Sequence, residues 1–211
     1  MTALVTAIAL PVLVWFVAGT IWNVRQGRKL MTWMQGGLPL LGERTTVRWL
    51  GSTAVELVIR QARPPFTQVT LVVFLEPRDV PWMWALARAR GRRDTVIVRG
   101  ELRRVPPLDL EALLPGSWSA RDARPGLARE EWTVRAPSGP GAAEIWTKTP
   151  AALPRADELL ALAAGARLAV RRLSARRTAP HLTLHLAPPA AGLPAGAFFE
   201  EVRQLAVHAS T

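Results

Sequence analysis

Cysteine is absent from the 211 residues. That removes disulfides, thiolate metal ligands and cysteine nucleophiles at once, and it fits a reducing compartment. Tyrosine is absent too, and lysine is confined to Lys29 and Lys148, so arginine carries nearly all the positive charge. With alanine abundant, this arginine bias reads as the coding habit of a GC-rich genome. No glycine-rich phosphate loop with its lysine occurs, nor a dinucleotide fingerprint, nor a Gly-x-Ser-x-Gly elbow, so phosphoryl and acyl transfer lose their usual signatures. His181 and His185 are the only paired histidines. On the strand expected there they stand about 13 Å apart, too far to share a metal whose ligands each sit near 2 Å, and they read as polar residues on a solvated face. The carboxylate pairs Glu130 with Glu131, Asp157 with Glu158 and Glu200 with Glu201 are adjacent in sequence, and neighbours point in different directions. The sequence therefore gives no catalytic, cofactor or metal residue, and no small-molecule substrate.

Charge is also missing from residues 2–24, an apolar run that at about 1.5 Å per residue covers the roughly 30 Å of a bilayer's hydrocarbon. A cleaved signal peptide carries its cations before a shorter run, whereas Arg25, Arg28 and Lys29 all follow this one. The expectation is an uncleaved transmembrane anchor over residues 1–24, centred on residues 3–22. By the positive-inside rule its N-terminus lies outside the cell membrane and the rest of the chain lies in the cytoplasm. Trp15, Trp22 and Trp33 suit an interfacial belt, Trp15 being deep for one.

After the span, the clustering of Leu30, Met31, Trp33 and Met34 predicts an amphipathic connector over residues 25–42, lying along the membrane surface. Residues 43–211 predict an α+β domain with a mainly antiparallel sheet and a few packed helices, divisible into residues 43–115 and 130–211. Strands are expected at 45–50 and 53–61, joined at Gly51 and Ser52 with Val55, Leu57 and Ile59 on the buried face, and at 69–75 as the core strand. A helix over 81–90 ends at Gly91; strand 95–105 follows, then a helical turn around 108–114 and a loop over 116–126. The second half predicts strands at 131–135, 143–147, 167–173 and 181–187, and helices at 154–164 and 195–207.

The net charge of +11 is unevenly placed. Residues 78–104 hold eight arginines against three acids, among them Arg88, Arg90, Arg92 and Arg93. Residues 167–177 hold Arg167, Arg171, Arg172, Arg176 and Arg177 with no acid. These nine residues form one or two candidate polyanion-binding patches, for lipid headgroups or for ribosomal or other RNA; a merely solvated arginine surface is the alternative. Trp82, Ala85, Leu86 and Ala89 form a stripe that predicts packing of their helix on the sheet. The other reading is contact of Trp82, Met83 and Trp84 with the bilayer or an integral membrane partner.

The order of features resembles the calumin family, single-span subunits of the eukaryotic PAT complex in the translocon for multipass proteins. The likeness rests on the span running into Asn23, Arg25, Gly27, Arg28 and Lys29, and on the strand at 69–75 passing into Glu76, Pro77, Arg78 and Asp79 before a short helix. It extends to the helix, two strands and helix over 154–207. The resemblance implies a non-enzymatic accessory factor that helps membrane proteins insert, its basic patches turned to the ribosome or the membrane. The family's acidic segment before the span and basic coiled-coil tail have no counterpart, so calcium binding and tail-mediated ribosome contact are not carried over.

Overall fold

The computed structural model describes residues 2–190 and 192–211. Its first element is one unbroken helix, α1 (Thr2–Gln35), long and apolar enough to cross a membrane. At about 1.5 Å per residue it is about 50 Å long, some 20 Å more than hydrocarbon requires. Leu10, Leu13, Phe16 and Trp22 are exposed on its apolar part. From Gly19 one helix face turns inward, with Gly19, Asn23 and Gly27 buried at four-residue spacing and Met34, two turns further on, in the core. This corrects the expected surface connector at 25–42, whose first part continues the same helix. The apolar residues there find partners in the domain instead of the membrane surface. Trp33 packs edge-on against Phe198 at 5.2 Å and donates from Nε1 to the Leu193 carbonyl at 2.7 Å. The helix ends before Gly37, where a Cβ would lie 2.5 Å from the Phe199 ring, and a 3-10 turn (Leu38–Leu40) follows.

The remaining elements are β1 (Thr45–Trp49), β2 (Ala54–Arg60), β3 (Phe66–Phe74), α2 (Pro81–Ala89), β4 (Thr95–Leu102), β5 (Leu110–Leu113), α3 (Trp118–Arg129), β6 (Thr133–Arg135), β7 (Glu144–Thr147), α4 (Leu153–Gly165), β8 (Val170–Ala175), β9 (Leu182–Leu186) and α5 (Ala195–Ala209). The strands form one nine-stranded sheet in the order β1-β2-β3-β4-β9-β8-β5-β7-β6. Every neighbouring pair is antiparallel, so the fold is α+β with an antiparallel sheet. The β4–β9 pairing joins the first half of the chain to the second.

Two expectations are corrected. Residues 110–113 form a strand, not a helical turn, because the sheet needs them between β7 and β8, and all four are buried. Such tertiary pairing outweighs the helix propensity of Leu, Glu and Ala. The expected loop at 116–126 is mostly α3: Ser117 caps it, accepting from the Ala120 amide at 3.2 Å, and Ala120, Ala123 and Leu127 make its buried stripe.

One sheet face carries the main core: Leu57, Leu71, Val98, Leu184 and Leu173 under α4, α5 and the end of α1. On the opposite face α3 covers only one end, where its Ala120, Ala123 and Leu127 cluster with Leu113 and Trp132. The two ends of the central strands also differ. The Thr95 end of β4, with Phe74, Leu186 and Val170 in register beside it, adjoins the apolar helix through Arg78, which bridges Asp94 and Asn23. The far end carries Phe66, Leu102, Leu182 and Ala175.

Candidate functional site

Three regions hold the residues singled out in the sequence, and the first is the seam between α1 and α2. Pro81 sits in the first turn of α2, where its missing N–H costs nothing. No residue of α2 is buried, and Trp82, Met83 and Leu86 are 62%, 51% and 52% exposed. The stripe therefore does not pack on the sheet, which corrects that expectation. Instead the start of α2 leans on α1. Trp15 donates from Nε1 to the Arg78 carbonyl at 2.9 Å, and its ring lies 6.2 Å from that of Trp84. Its depth in the apolar run thus has a partner that the sequence did not disclose. Below the seam lies a polar cluster. Arg78 donates to both oxygens of Asp94 at 2.9 Å, and the buried Glu76 accepts from Trp84 Nε1 at 2.6 Å and from Arg88 at 3.3 Å. Arg25, Arg28 and Lys29 are exposed on α1 just past Trp22.

The second region is the arginine series, which the fold divides. Arg88, Arg90, Arg92 and Arg93 lie at the end of α2, the helix that leans on α1, and Arg167 lies just ahead of β8 at the same end of the sheet. Arg93 donates to the carbonyls of Arg88 and Arg92, each at 2.8 Å, and Arg92 lies over the Trp118 ring at 5.9 Å. Arg171, at a bulge in β8, donates to Thr95 Oγ1 at 2.6 Å and the Asp94 carbonyl at 2.8 Å; burial lowers its pKa. Arg172 and Arg176 share one buried anion. Glu111 of β5, fully buried, accepts from Arg172 Nε at 2.8 Å, Arg176 Nη2 at 2.6 Å and Ser174 Oγ at 3.1 Å. Arg176 also lies 4.9 Å from the Trp132 ring centre. Among the described residues, Arg90, Arg167 and Arg177 make no side-chain hydrogen bond or ion pair; Arg177 is at the far end of the sheet, where exposed Arg104 also stands. The nine arginines thus form no single patch: Arg88, Arg93, Arg171, Arg172 and Arg176 bond within the fold, Arg92 lies over Trp118, and Arg90, Arg167 and Arg177, with no such contact, are divided between the two ends of the sheet.

The third region went unforeseen. Where α3 leaves the sheet uncovered, a cleft of about 590 Å³ opens. Its floor is a register row of Thr70, Arg99, Thr183 and Ser174, flanked by Ile97, His185 and Arg172. Trp118 and Asp122 of α3 form its wall. His185 is buried, not on a solvated face as expected, because Trp118 stacks 6.1 Å from it. Among the described residues its Nδ1 has no hydrogen-bond partner. Burial first, then repulsion from Arg172, Arg99 and Arg171, pushes its pKa down to about 3 from the ordinary 6.5. His181 accepts the Leu102 amide at Nδ1, 2.9 Å.

Stability depends on pH through the His185 imidazole. With the folded pKa depressed, its contribution is fully present above pH 6.5 and is lost as pH falls toward 3, because the unfolded chain binds the proton first. Urea unfolding of detergent-solubilised protein at pH 7, 6 and 5 is expected to lose about 1.4 kcal/mol per pH unit below 6.5 from this residue. His185→Gln is expected to flatten the profile by that amount; parallel profiles would show that the imidazole charges freely in the fold.

Among the described residues no three of His, Asp and Glu gather where they could hold a metal ion. What the three regions offer instead is surface: an apolar helix pair, exposed arginines at both ends of a sheet, and a polar cleft between. No protein-family model matches the chain, and no curated protein matches it.

Proposed function

We propose that this chain is a membrane-anchored, non-enzymatic binding module that serves as an accessory factor in membrane-protein insertion or as a subunit of a membrane complex. The observation that carries the reading is the continuity of α1, which runs without a break from an apolar, exposed segment into the core at Met34. A basic domain joined in this way stands upright at the bilayer with a fixed face toward it. The cations after the run, Arg25, Arg28 and Lys29, support a cytoplasmic side for that domain by the positive-inside rule. The calumin-like order of elements supports the same role, with an integral membrane protein and the ribosome as partners.

The split of the arginines gives each polyanion its own end. Arg90 and Arg167 are near the level of lipid headgroups, where each cation contributes on the order of 1 kcal/mol. Arg104 and Arg177 point away from the bilayer and suit ribosomal RNA. The membrane-proximal set favours a second reading, a peripheral scaffold that grips anionic lipid alone. Co-sedimentation of the detergent-solubilised protein with ribosomes over a salt series separates the two. Arg104→Glu with Arg177→Glu is expected to weaken ribosome binding at least tenfold and to reduce the salt slope by about 1 for each phosphate no longer neutralised. Arg90→Glu with Arg167→Glu is expected to weaken only binding to anionic liposomes. Binding to liposomes with none to ribosomes would favour the scaffold.

A further inference from the structure

We infer that α2 is inserted obliquely into the same leaflet as the lower half of α1, its Trp82, Met83 and Leu86 face in contact with lipid acyl chains. This rests on the proposal that α1 spans the bilayer, and it names lipid as the occupant of an apolar surface that the domain leaves uncovered.

The geometry leaves α1 no way into a membrane without α2. A Cβ at Gly19 would fall 2.2 Å from the Arg78 carbonyl oxygen and 2.6 Å from the Asp79 Cα, so the backbone just ahead of α2 touches the helix. The first cation after the apolar run is Arg25. Gly19 lies six residues before it and Trp15 ten, or about 9 and 15 Å along the helix. Phe16, Val17, Ile21 and Trp22, all 46–56% exposed, occupy the same stretch. Any depth that immerses these side chains also immerses the residues packed beside them, and Pro81 and Trp82 line one apolar groove with Val12, Leu13 and Phe16. A second groove, lined by Trp15, Gly19, Trp22 and Trp84, continues it.

The chemistry of α2 fits that position. Its exposed residues are apolar at the start and cationic at the end, with Arg88 on the last turn and Arg90 at the C-cap, where headgroup phosphates would meet them. Most of the charges that insertion would bring near hydrocarbon are already paired, Arg78 with Asp94 and Glu76 with Arg88 and Trp84, while Asp79, at the edge of the groove, accepts a hydrogen bond from Ser52 Oγ at 3.1 Å. Unpaired, such groups would be expelled from lipid.

The absence of cysteine allows a direct test on the full chain. Leu13→Cys, Met83→Cys, Leu86→Cys and Arg177→Cys, each alone, are reconstituted into phosphatidylcholine and phosphatidylglycerol vesicles and treated with N-ethylmaleimide, which crosses bilayers and so ignores orientation. Thiols at 13, 83 and 86 are expected to react at least tenfold more slowly than the thiol at 177, and all four alike in SDS. Slow reaction at 13 with fast reaction at 83 and 86 would overturn the insertion of α2 and leave the span intact. Fast reaction at 13 would overturn the span itself, and the inference with it. Protection at 83 and 86 that vanishes as the protein is diluted into more lipid would mean that a second copy covers α2, and would also overturn the inference.

Discussion

Glu111→Ala is expected to destabilise the protein by about 3–5 kcal/mol, because it leaves two partly buried guanidiniums facing one another with no anion between them. Arg172 and Arg176 each place two N–H groups on this carboxylate, at 2.6 to 3.0 Å, and its side chain has no exposure to water. Glu111→Gln keeps the shape and part of the hydrogen bonding and is expected to cost less, about 2–3 kcal/mol. The urea midpoint of the solubilised protein, at constant slope, is the measurement; a change of under 1 kcal/mol for Ala would mean that water or another acid replaces the carboxylate. The result also governs how the basic surface is probed. Charge reversal at Arg171 or Arg172 would injure the sheet, so weaker binding there would say nothing about a partner. Arg104, Arg177, Arg90 and Arg167 are the residues that report on it.

Gly19→Ala is expected to undo the docking of α2 on α1 at a cost of about 2–3 kcal/mol, the scale of overpacking against an unyielding neighbour. The substitution favours the helix itself by nearly 1 kcal/mol, so a net loss isolates the clash. Gly27→Ala is the comparison: there the added carbon meets the Trp49 ring at 3.1 Å, a side chain able to give way, and the expected cost is smaller. Trypsin cleavage after Arg88, Arg90 and Arg92 in reconstituted vesicles reads the undocking directly. Equal cleavage in the Gly19→Ala protein and the wild type would mean that the two helices separate freely.

Much of this architecture was legible in the residues. The uncharged run, the Gly51–Ser52 turn, the alternation of Val55, Leu57 and Ile59, and the apolar β3 gave α1 and the first strands directly. Failures occurred where local signals conflicted with the fold. Gly116, Pro125 and Gly126 read as loop punctuation, yet Pro125 lies inside α3, eight residues past the Ser117 cap. Leu110 to Leu113 carry helical residues but occupy a central strand whose need for partners decides the matter. The arginines near residue 172 read as acid-free because their acid, Glu111, is 61 residues away in sequence. Gly19 carried the local hint of a close approach, a residue without a side chain between the small Ala18 and Thr20, and nothing in the sequence tells such a glycine from an ordinary one. The cleft was invisible for a simpler reason: the row of Thr70, Arg99, Thr183 and Ser174 exists only through strand register.

Because α1 runs unbroken from its exposed apolar length to Met34, the domain would act as a rigid pointer fixed to a helix that spans the bilayer. Membrane helices commonly incline by about 20°, and more in thinner bilayers, so such an inclination would swing a point 30 Å away by about 10 Å. Local bilayer thickness would then aim the distal arginines, making their reach toward a partner a property of the surrounding lipid as much as of the protein.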